Sequence, residues 1–346
     1  MNELIDFSYL KFDKDSNSGS DEKYNDLYNN EWYMFKFGAP LKPNDKNPIQ
    51  ASYDSAPASE YLGCQVSSIL GLKTQETLIG TYRGRSVVAC KDFVHNSPTP
   101  VFLREFSDLE NSMPGASSTN RRTPEYDFTI NLLNTHPWLE PIRDEAITRF
   151  WETLCLDSLI GNFDRHAGNW GYLASWNDKT ALSVAPIYDC GSAFYPRLAE
   201  HEMERLTSCP DELRARMHTF PNVRLLIDGK RPHYDYFLLS PYGAPARKVL
   251  LYLTDRIDID SINSLIENCP ALTPIKVEFF KSFIKTRLDS IVLPAYLLAK
   301  EERGLAKAAP LESLDQLMDA KKDEAELISN NGLTAVSKAL PLDREG

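Results

Sequence analysis

Residues 156–173 read LDSLIGNFDRHAGNWGYL, and within them stand Asp164-Arg165-His166 and, after the spacer Ala167-Gly168, Asn169. A second carboxylate, Asp189, follows in Ala185-Pro-Ile-Tyr-Asp-Cys-Gly191. Phosphoryl transfer needs one carboxylate to orient the attacking hydroxyl, and a side-chain amide with a second carboxylate to hold Mg²⁺ on the phosphates. Asp164, Asn169 and Asp189 are residues of those types, in that order. Upstream, residues 144–160 predict a buried helix, with Ile147, Phe150, Trp151, Leu154 and Leu156 apolar and Gly161 as its stop. Downstream, residues 170–174 and 182–187 predict two strands joined by the polar turn 175–180. That hairpin returns the chain from Asn169 to Asp189 and sets both candidate metal ligands at one end of it. Taken alone, the loop also fits a polar turn whose Asp and Asn only cap neighbouring elements. Asp189 at hairpin distance tips the balance toward chemistry.

Composition narrows the classes. The 346 residues suffice for two domains or one two-lobed enzyme, and 42% hydrophobic with 25% charged residues is the make-up of a globular chain with a sizeable core. A net charge of −11 argues against bulk nucleic-acid binding, which wants a basic surface. Six scattered cysteines without a Cys-x-x-Cys pair predict reduced thiols, not a zinc site or a disulfide frame. No apolar run reaches membrane-spanning length, and the acidic N-terminus is no Sec signal. The expectation is a cytoplasmic protein, with export by a pathway lacking such a signal left open.

Residues 31–37, EWYMFKF, predict a strand with Trp32, Met34 and Lys36 on one face and Tyr33, Phe35 and Phe37 on the other. A lysine among such neighbours is costly unless paired. An edge lysine that discourages aggregation is one explanation; a lysine that holds nucleotide phosphates is the other, favoured with Asp164 in hand. Residues 58–70 predict a helix with Leu62, Val66, Ile69 and Leu70 on one stripe. Glu60 lies off that stripe, where it fits a solvated charge or a partner for Lys36 equally well. Residues 77–82 and 86–90 predict a hairpin that runs through Lys91, Asp92 and Phe93 into a loop.

With these residues in place, the run Asp164-Arg165-His166-Ala167-Gly168-Asn169 resembles the Asp-x-His-x-x-Asn catalytic loop of HipA-like serine/threonine kinases. It also fits the Asp-Arg-His-x-x-Asn loop of phosphatidylinositol 3- and 4-kinases. The pattern Ser-x-x-Gly-x-x-Glu-Lys at residues 16–23 resembles the phosphate-covering loop of the HipA-like family, and Glu60-Tyr61 matches a Glu-Tyr pair found there. The resemblance spans about residues 16–290 in scattered motifs and is most specific around Asp164. It implies an α+β, two-lobed protein-kinase-like fold: an N-lobe over 1–93, a mainly helical C-lobe over 94–300, and a tail over 301–346 that is helical or partly disordered. No extra domain is expected before the phosphate loop, as in compact HipA-like kinases.

The same resemblance implies an ATP- and Mg²⁺-dependent serine/threonine protein kinase capable of autophosphorylation. Asp164 and His166 would be catalytic, with Asp164 positioning the acceptor hydroxyl and His166 bracing the loop. Ser16, Gly19, Lys36, Glu60, Lys91 and Phe93 would serve the nucleotide, and Asn169 and Asp189 the metal. Ser16 would be the autophosphorylation site. Partners would be a protein with a Ser or Thr acceptor and an antitoxin-like or host protein, with no direct nucleic acid. A phosphoinositide or other small-molecule kinase and a catalytically silent interaction module remain the alternatives. The absence of a basic or amphipathic membrane-facing stretch weighs against lipid.

The rest of the chain is read more coarsely. Residues 1–31 are polar, 96–124 loop-rich, 128–133 a short helix, 200–217 charged and helical, and 248–299 helices with short turns.

Overall fold

The structure is a computed structural model that describes residues 4–12, 22–39, 55–113 and 123–304. Ser16, Gly19 and residues 305–346 of the tail lie outside the described residues. The chain divides into one unit over Met1–Tyr296 and a second over Leu297–Gly346.

The amino-terminal part is built on a five-stranded sheet. Its strands are β1 (Ile5–Asp6), β2 (Lys23–Tyr28), β3 (Glu31–Phe37), β4 (Thr77–Tyr82) and β5 (Arg85–Lys91), in the spatial order β1-β4-β5-β3-β2. The alternation read in residues 31–37 sorts the two faces. Tyr33, Phe35 and Phe37 are buried with Phe7, Val87 and Ala89, and Phe12, Tyr24, Tyr28 and Tyr82 pack around them. Aromatic pairs at 5–6 Å, such as Phe7–Phe35 at 5.1 Å, fill that side. On the other face Lys36 lies opposite Val88, and Met34 opposite Cys90. Helix α1 (Ala56–Ile69) covers β4 and β5 there, burying Leu62 and Val66. Strand β2 corrects the polar reading of residues 1–31. Its KYNDLY is held as a strand by full register against β3, from Lys23↔Lys36 to Tyr28↔Glu31.

A three-stranded sheet follows, formed by β6 (Val101–Glu105), β7 (Gly171–Ser175) and β8 (Ala181–Val184) in sequence order. β7 and β8 are the hairpin expected after Asn169. β6 and the next helix, α2 (Phe106–Ser112), correct the loop-rich reading of residues 96–124. Val101-Phe-Leu103 carries some strand propensity but is short and sits in a loop-rich stretch; pairing with β7 from Val101↔Ser175 to Glu105↔Gly171 decides the conformation. Gly171 is required by that approach, since a Cβ there would stand 2.2 Å from the Arg104 carbonyl oxygen.

The rest is helical: α3 (Tyr126–Thr135), α4 (Arg143–Ile160), α5 (Glu200–Ser208), α6 (Pro210–Met217), α7 (Tyr234–Leu239), α8 (Ala244–Leu253), α9 (Ile259–Glu267), α10 (Pro274–Arg287) and α11 (Leu293–Glu302). α4 is the helix predicted before the loop, and Gly161 ends it in the left-handed conformation at φ 65°. The helical stretch expected over 200–217 is two helices that part at Cys209, because Pro210 cannot donate to the preceding turn and starts α6 instead. Around α4 and α10 a large core gathers Leu156, Leu159, Ile160, Phe279, Phe280 and Phe283. The architecture is a mixed α+β one, with a β-sheet amino-terminal part and a helical carboxy-terminal part. Among the described residues no helix is long and apolar enough to cross a membrane.

Candidate active site

Lys36 is the natural start. Its ammonium lies 3.3 Å from Glu60 Oε1 and 3.1 Å from Asp189 Oδ1. The pairing removes the cost of a lysine on this strand face. Glu60 is the residue that composition left open, and the structure buries it: its side chain is 1% exposed. Its Oε1 also accepts the Asp189 backbone N–H at 3.0 Å. One oxygen thereby joins β3, α1 and the segment after β8. Desolvation opposes the Lys36 charge, but the carboxylates of Asp189 and Glu60 outweigh it and keep the ammonium protonated. Burial likewise opposes ionisation of Asp189, yet Lys36 and Arg165 hold its carboxyl below the usual range. Asp189 adopts φ 59°, a region uncommon for residues other than glycine though one that Asp and Asn tolerate best.

The loop after α4 is tied from within. Asn162 Oδ1 accepts the Asp164 N–H, and Asn169 Nδ2 donates to the Asp164 carbonyl at 2.7 Å. That second bond commits the nitrogen of the Asn169 amide and leaves its oxygen as the end able to ligate a hard cation. His166 accepts the Gly168 N–H through Nδ1 at 3.0 Å, which makes the imidazole a brace within the turn. Burial lowers the His166 pKa and favours the neutral ring that this bond requires. The Asp164 side chain is 42% exposed, and Arg224 Nη2 donates to its Oδ1 at 3.2 Å. Partial burial raises the Asp164 carboxyl above the usual range, against the pull of His166 and Arg224.

Arg165, a motif residue to which the sequence assigns no role, holds the two ends of the hairpin together. Nη1 donates to the carbonyls of Asn169 and Tyr188, on either side of β7 and β8. Nε and Nη2 meet the two oxygens of Asp157 at 2.9 and 3.1 Å. Asp157 is fully buried on α4, and a carboxylate within the apolar run LCLDSLI was a signal that a cationic partner must exist. No comparable signal marked Arg224, 60 residues beyond Asp164. Cys190, the spacer beside Asp189, is buried against Gly63 of α1; a Cβ on Gly63 would meet Cys190 Cβ at 2.6 Å.

The expected residues thus divide. Lys36, Glu60 and Asp189 form one bonded cluster, and Asp164, His166 and Asn169 form one bonded loop, linked to it through Arg165. Phe93 lies at the end of the segment after β5, its ring 5.7 Å from that of Tyr188. Lys91 is turned to other duty: its ammonium pairs with Glu31 at 2.8 Å and Glu76 at 3.3 Å, and its carbonyl accepts from Gln75.

Known proteins resemble this chain in sequence and in fold. The HipA-like C-terminal domain family matches residues 12–222. The serine/threonine-protein kinase CtkA of Helicobacter pylori is 35% identical over 319 residues, covering 90% of this chain and 95% of the relative. The crystal structure of the Helicobacter pylori proinflammatory kinase CtkA superposes with a TM-score of 0.74 at 33% identity, over 87% of this chain and 99% of that one. A chain from the HipA, HipB and operator DNA complex of Shewanella oneidensis matches at a TM-score of 0.50 and 15% identity, over 84% of this chain and 67% of that one, a likeness of fold. By sequence, by fold and by its loop, the chain belongs to the HipA-like family of serine/threonine-protein kinases.

Proposed function

We propose that this kinase transfers the γ-phosphoryl group of ATP to a serine or threonine hydroxyl of a protein, with Asp164 receiving the acceptor. The observation that carries the reading is the Lys36 ammonium set between Glu60 and Asp189, with Asp189 tied through Arg165 to the loop that bears Asp164 and Asn169. Lys36 meets the phosphates, and Glu60 fixes its position. The base is received near Phe93 and Tyr188, which puts the boundary between the lobes near residue 93 and leaves 94–300 as the C-lobe. Residues 16–23, with Ser16 and Gly19, would cover the phosphates.

The donors fit Mg²⁺. The Asn169 amide oxygen and the Asp189 carboxylate are hard oxygen ligands, and Mg²⁺ in phosphate sites is commonly held by one or two protein carboxylates with the remaining positions given to phosphate and water. Among the described residues no cluster of three His, Cys, Asp or Glu forms an all-protein cage. When bound, the ion neutralises charge that develops on the transferred group. The chain's own residues do the rest. Asp164 orients the hydroxyl and accepts its proton, the Asn162 and Asn169 bonds hold the Asp164 backbone in place, Arg224 pairs with its carboxylate, and His166 stiffens the turn. In a loose transition state the proton leaves late, so a carboxylate is base enough.

Labelled ATP with Mg²⁺, offered a protein acceptor and phosphoinositide vesicles side by side, tests the reading against an Asp164→Asn control. Transfer to protein alone, lost in Asp164→Asn with ATP binding retained, is the expected result. Transfer confined to phosphoinositide would overturn the protein assignment, and full activity of Asp164→Asn would remove Asp164 from its role. Autophosphorylation at Ser16 belongs to the same proposal. A phosphoserine brings close to two negative charges beside the nucleotide phosphates and disfavours a closed loop, so activity should fall once it forms. Mass spectrometry after incubation with Mg-ATP locates the phosphate, and modification confined to Ser18 or Ser20 would sink the Ser16 assignment.

A further inference from the structure

Behind the catalytic loop lies a cavity of about 40 Å³, walled by Glu110 of α2, Thr129 of α3, Asp157 of α4, and Arg165 and Arg224. Phe106, Phe150 and Leu154 complete much of the lining. Three polar atoms of these walls, Glu110 Oε1, Thr129 Oγ1 and Arg224 Nε, are buried and have no hydrogen-bond partner among the described residues. Buried polar atoms are nearly always satisfied, by protein or by ordered water, and three exceptions around one small space need a common explanation. A water requires roughly 10–15 Å³ and two to four polar partners, so the cavity has room for about three or four. A dry cavity would be expected only if the walls were apolar throughout.

Arg224 connects this space to the site. Its Nη2 donates to Asp164 Oδ1 at 3.2 Å, while its unsatisfied Nε belongs to the same side chain at the cavity wall. We infer that the cavity is a hydration site whose waters tie Glu110 and Thr129 to Arg224, and that Glu110 is thereby a positioning residue for Asp164. This rests on the role given to Asp164 above.

The device has a natural variable. Burial alone pushes the Glu110 carboxyl up to about 7. The other charged groups of the walls are committed: Asp157 pairs with Arg165 at 2.9 Å, and Arg224 with Asp164. From α7, Tyr234 donates its hydroxyl to the Asn162 carbonyl, and burial holds that phenol far above its usual range. Near α2, Glu105 accepts from Ser107, Asp108 is exposed, and His136 meets Ser112. Glu110 is therefore the wall group whose charge changes near neutrality. Ionised, it turns water hydrogens toward itself and water lone pairs toward Arg224 Nε–H. The guanidinium is drawn toward the cavity, and Asp164 becomes the better proton acceptor. Protonated, Glu110 releases that pull and Arg224 masks Asp164.

Two measurements on the full chain test the inference. A crystal structure at water-resolving resolution should show about three or four waters, bonded to Glu110, Thr129 and Arg224, and a dry cavity overturns the hydration site. The pH dependence of kcat between pH 6 and 8.5 should show a rising limb with a midpoint near 7. Glu110→Gln should lose that limb and stay at the low-pH rate, with the KM for ATP unchanged. A limb retained in Glu110→Gln overturns the positioning role. Thr129→Val, which removes one water partner and no charge, should keep the limb with a displaced midpoint, and its identity to wild type in midpoint and water structure would count against the shared cluster. Failure of the underlying reading looks different: an Asp164→Asn protein that transfers phosphate normally sinks the base and its positioning together, whereas an inactive Asp164→Asn beside a wild-type profile in Glu110→Gln sinks only the inference about Glu110.

Discussion

Replacing Asp157 by Ala should loosen the site from beneath. Asp157 and Arg165 are a buried pair, with side-chain exposures of 1% and 8%. Arg165 Nε and Nη2 reach the Asp157 oxygens at 2.9 and 3.1 Å, and Asn162 Nδ2 adds a third bond at 3.0 Å. Removal of one partner from such a pair leaves an uncompensated buried charge and typically costs about 3–5 kcal/mol. Arg165 keeps two backbone carbonyls and Cys190 Sγ as acceptors, so the low end, about 3 kcal/mol, is the expected loss. Against a typical total of about 5–15 kcal/mol this is a large share. With a urea m-value of about 3 kcal/mol/M, the midpoint should fall by about 1 M at unchanged slope. The functional readout is separate. Arg165 holds the carbonyls of Asn169 and Tyr188 on one guanidinium, so a slack Arg165 lets the ends of the hairpin part and the Mg²⁺ concentration for half-maximal activity should rise. A stability loss below about 0.5 kcal/mol, the range of ordinary surface changes, would refute the uncompensated-charge argument. A full stability loss with an unchanged Mg²⁺ requirement would refute the tether.

Asp189→Asn should raise the Mg²⁺ requirement and lower the rate, because a carboxylate is the better ligand for this hard cation; titration of activity against Mg²⁺ checks it, and an unchanged curve counts against metal ligation. Gly171→Ala would press a Cβ to 2.2 Å from the Arg104 carbonyl oxygen, a backbone atom that cannot step aside. A loss of about 2 kcal/mol or more is expected in denaturant titration, with the β6–β7 pairing displaced. Glu110 gives a stability signature in pH. Its folded carboxyl, at about 7, lies above the usual carboxylate value, so the folded state takes up the proton first as pH falls. Wild type should therefore gain stability relative to Glu110→Gln between pH 8 and 5, the folded state binding more protons than the unfolded one there; parallel melting curves of the two proteins across that range would refute it.

What the sequence disclosed depended on whether a residue's environment was local. The alternation in residues 31–37 specified both faces of β3, because side-chain period alone sorts a strand. Gly161 marked the end of α4, because its left-handed conformation is a local requirement. β6 and β2 escape a local reading because strands of five and six residues are decided largely by the partner strand, and no local pattern records a register such as Arg104↔Tyr172. Asp164, Asn169 and Asp189, the set proposed for the chemistry, could be grouped from the sequence because the hairpin sets their spacing, and Arg165 joins the carbonyls beside them.

The supports of those residues were legible only where burial contradicted composition. Asp157 sat as a charge in an apolar helix, and the nearest cation able to answer it was Arg165, eight residues on, inside the motif itself. Glu60 gave no such contradiction, since its neighbours on α1 are small and polar residues that suit water as well as a core. Only the closure of α1 over the Lys36 face decides it, and that closure is a property of the whole sheet. Arg224 is further still from any local rule: its loop lies beyond α6, and its meaning comes from meeting Asp164 on one side and an unsatisfied polar cavity on the other. The residues that do chemistry are constrained by type, whereas the residues that hold them are constrained by three-dimensional neighbours. For this reason Asp157→Ala and Glu110→Gln, neither of them aimed at a group that touches substrate, probe what the motif alone could not state.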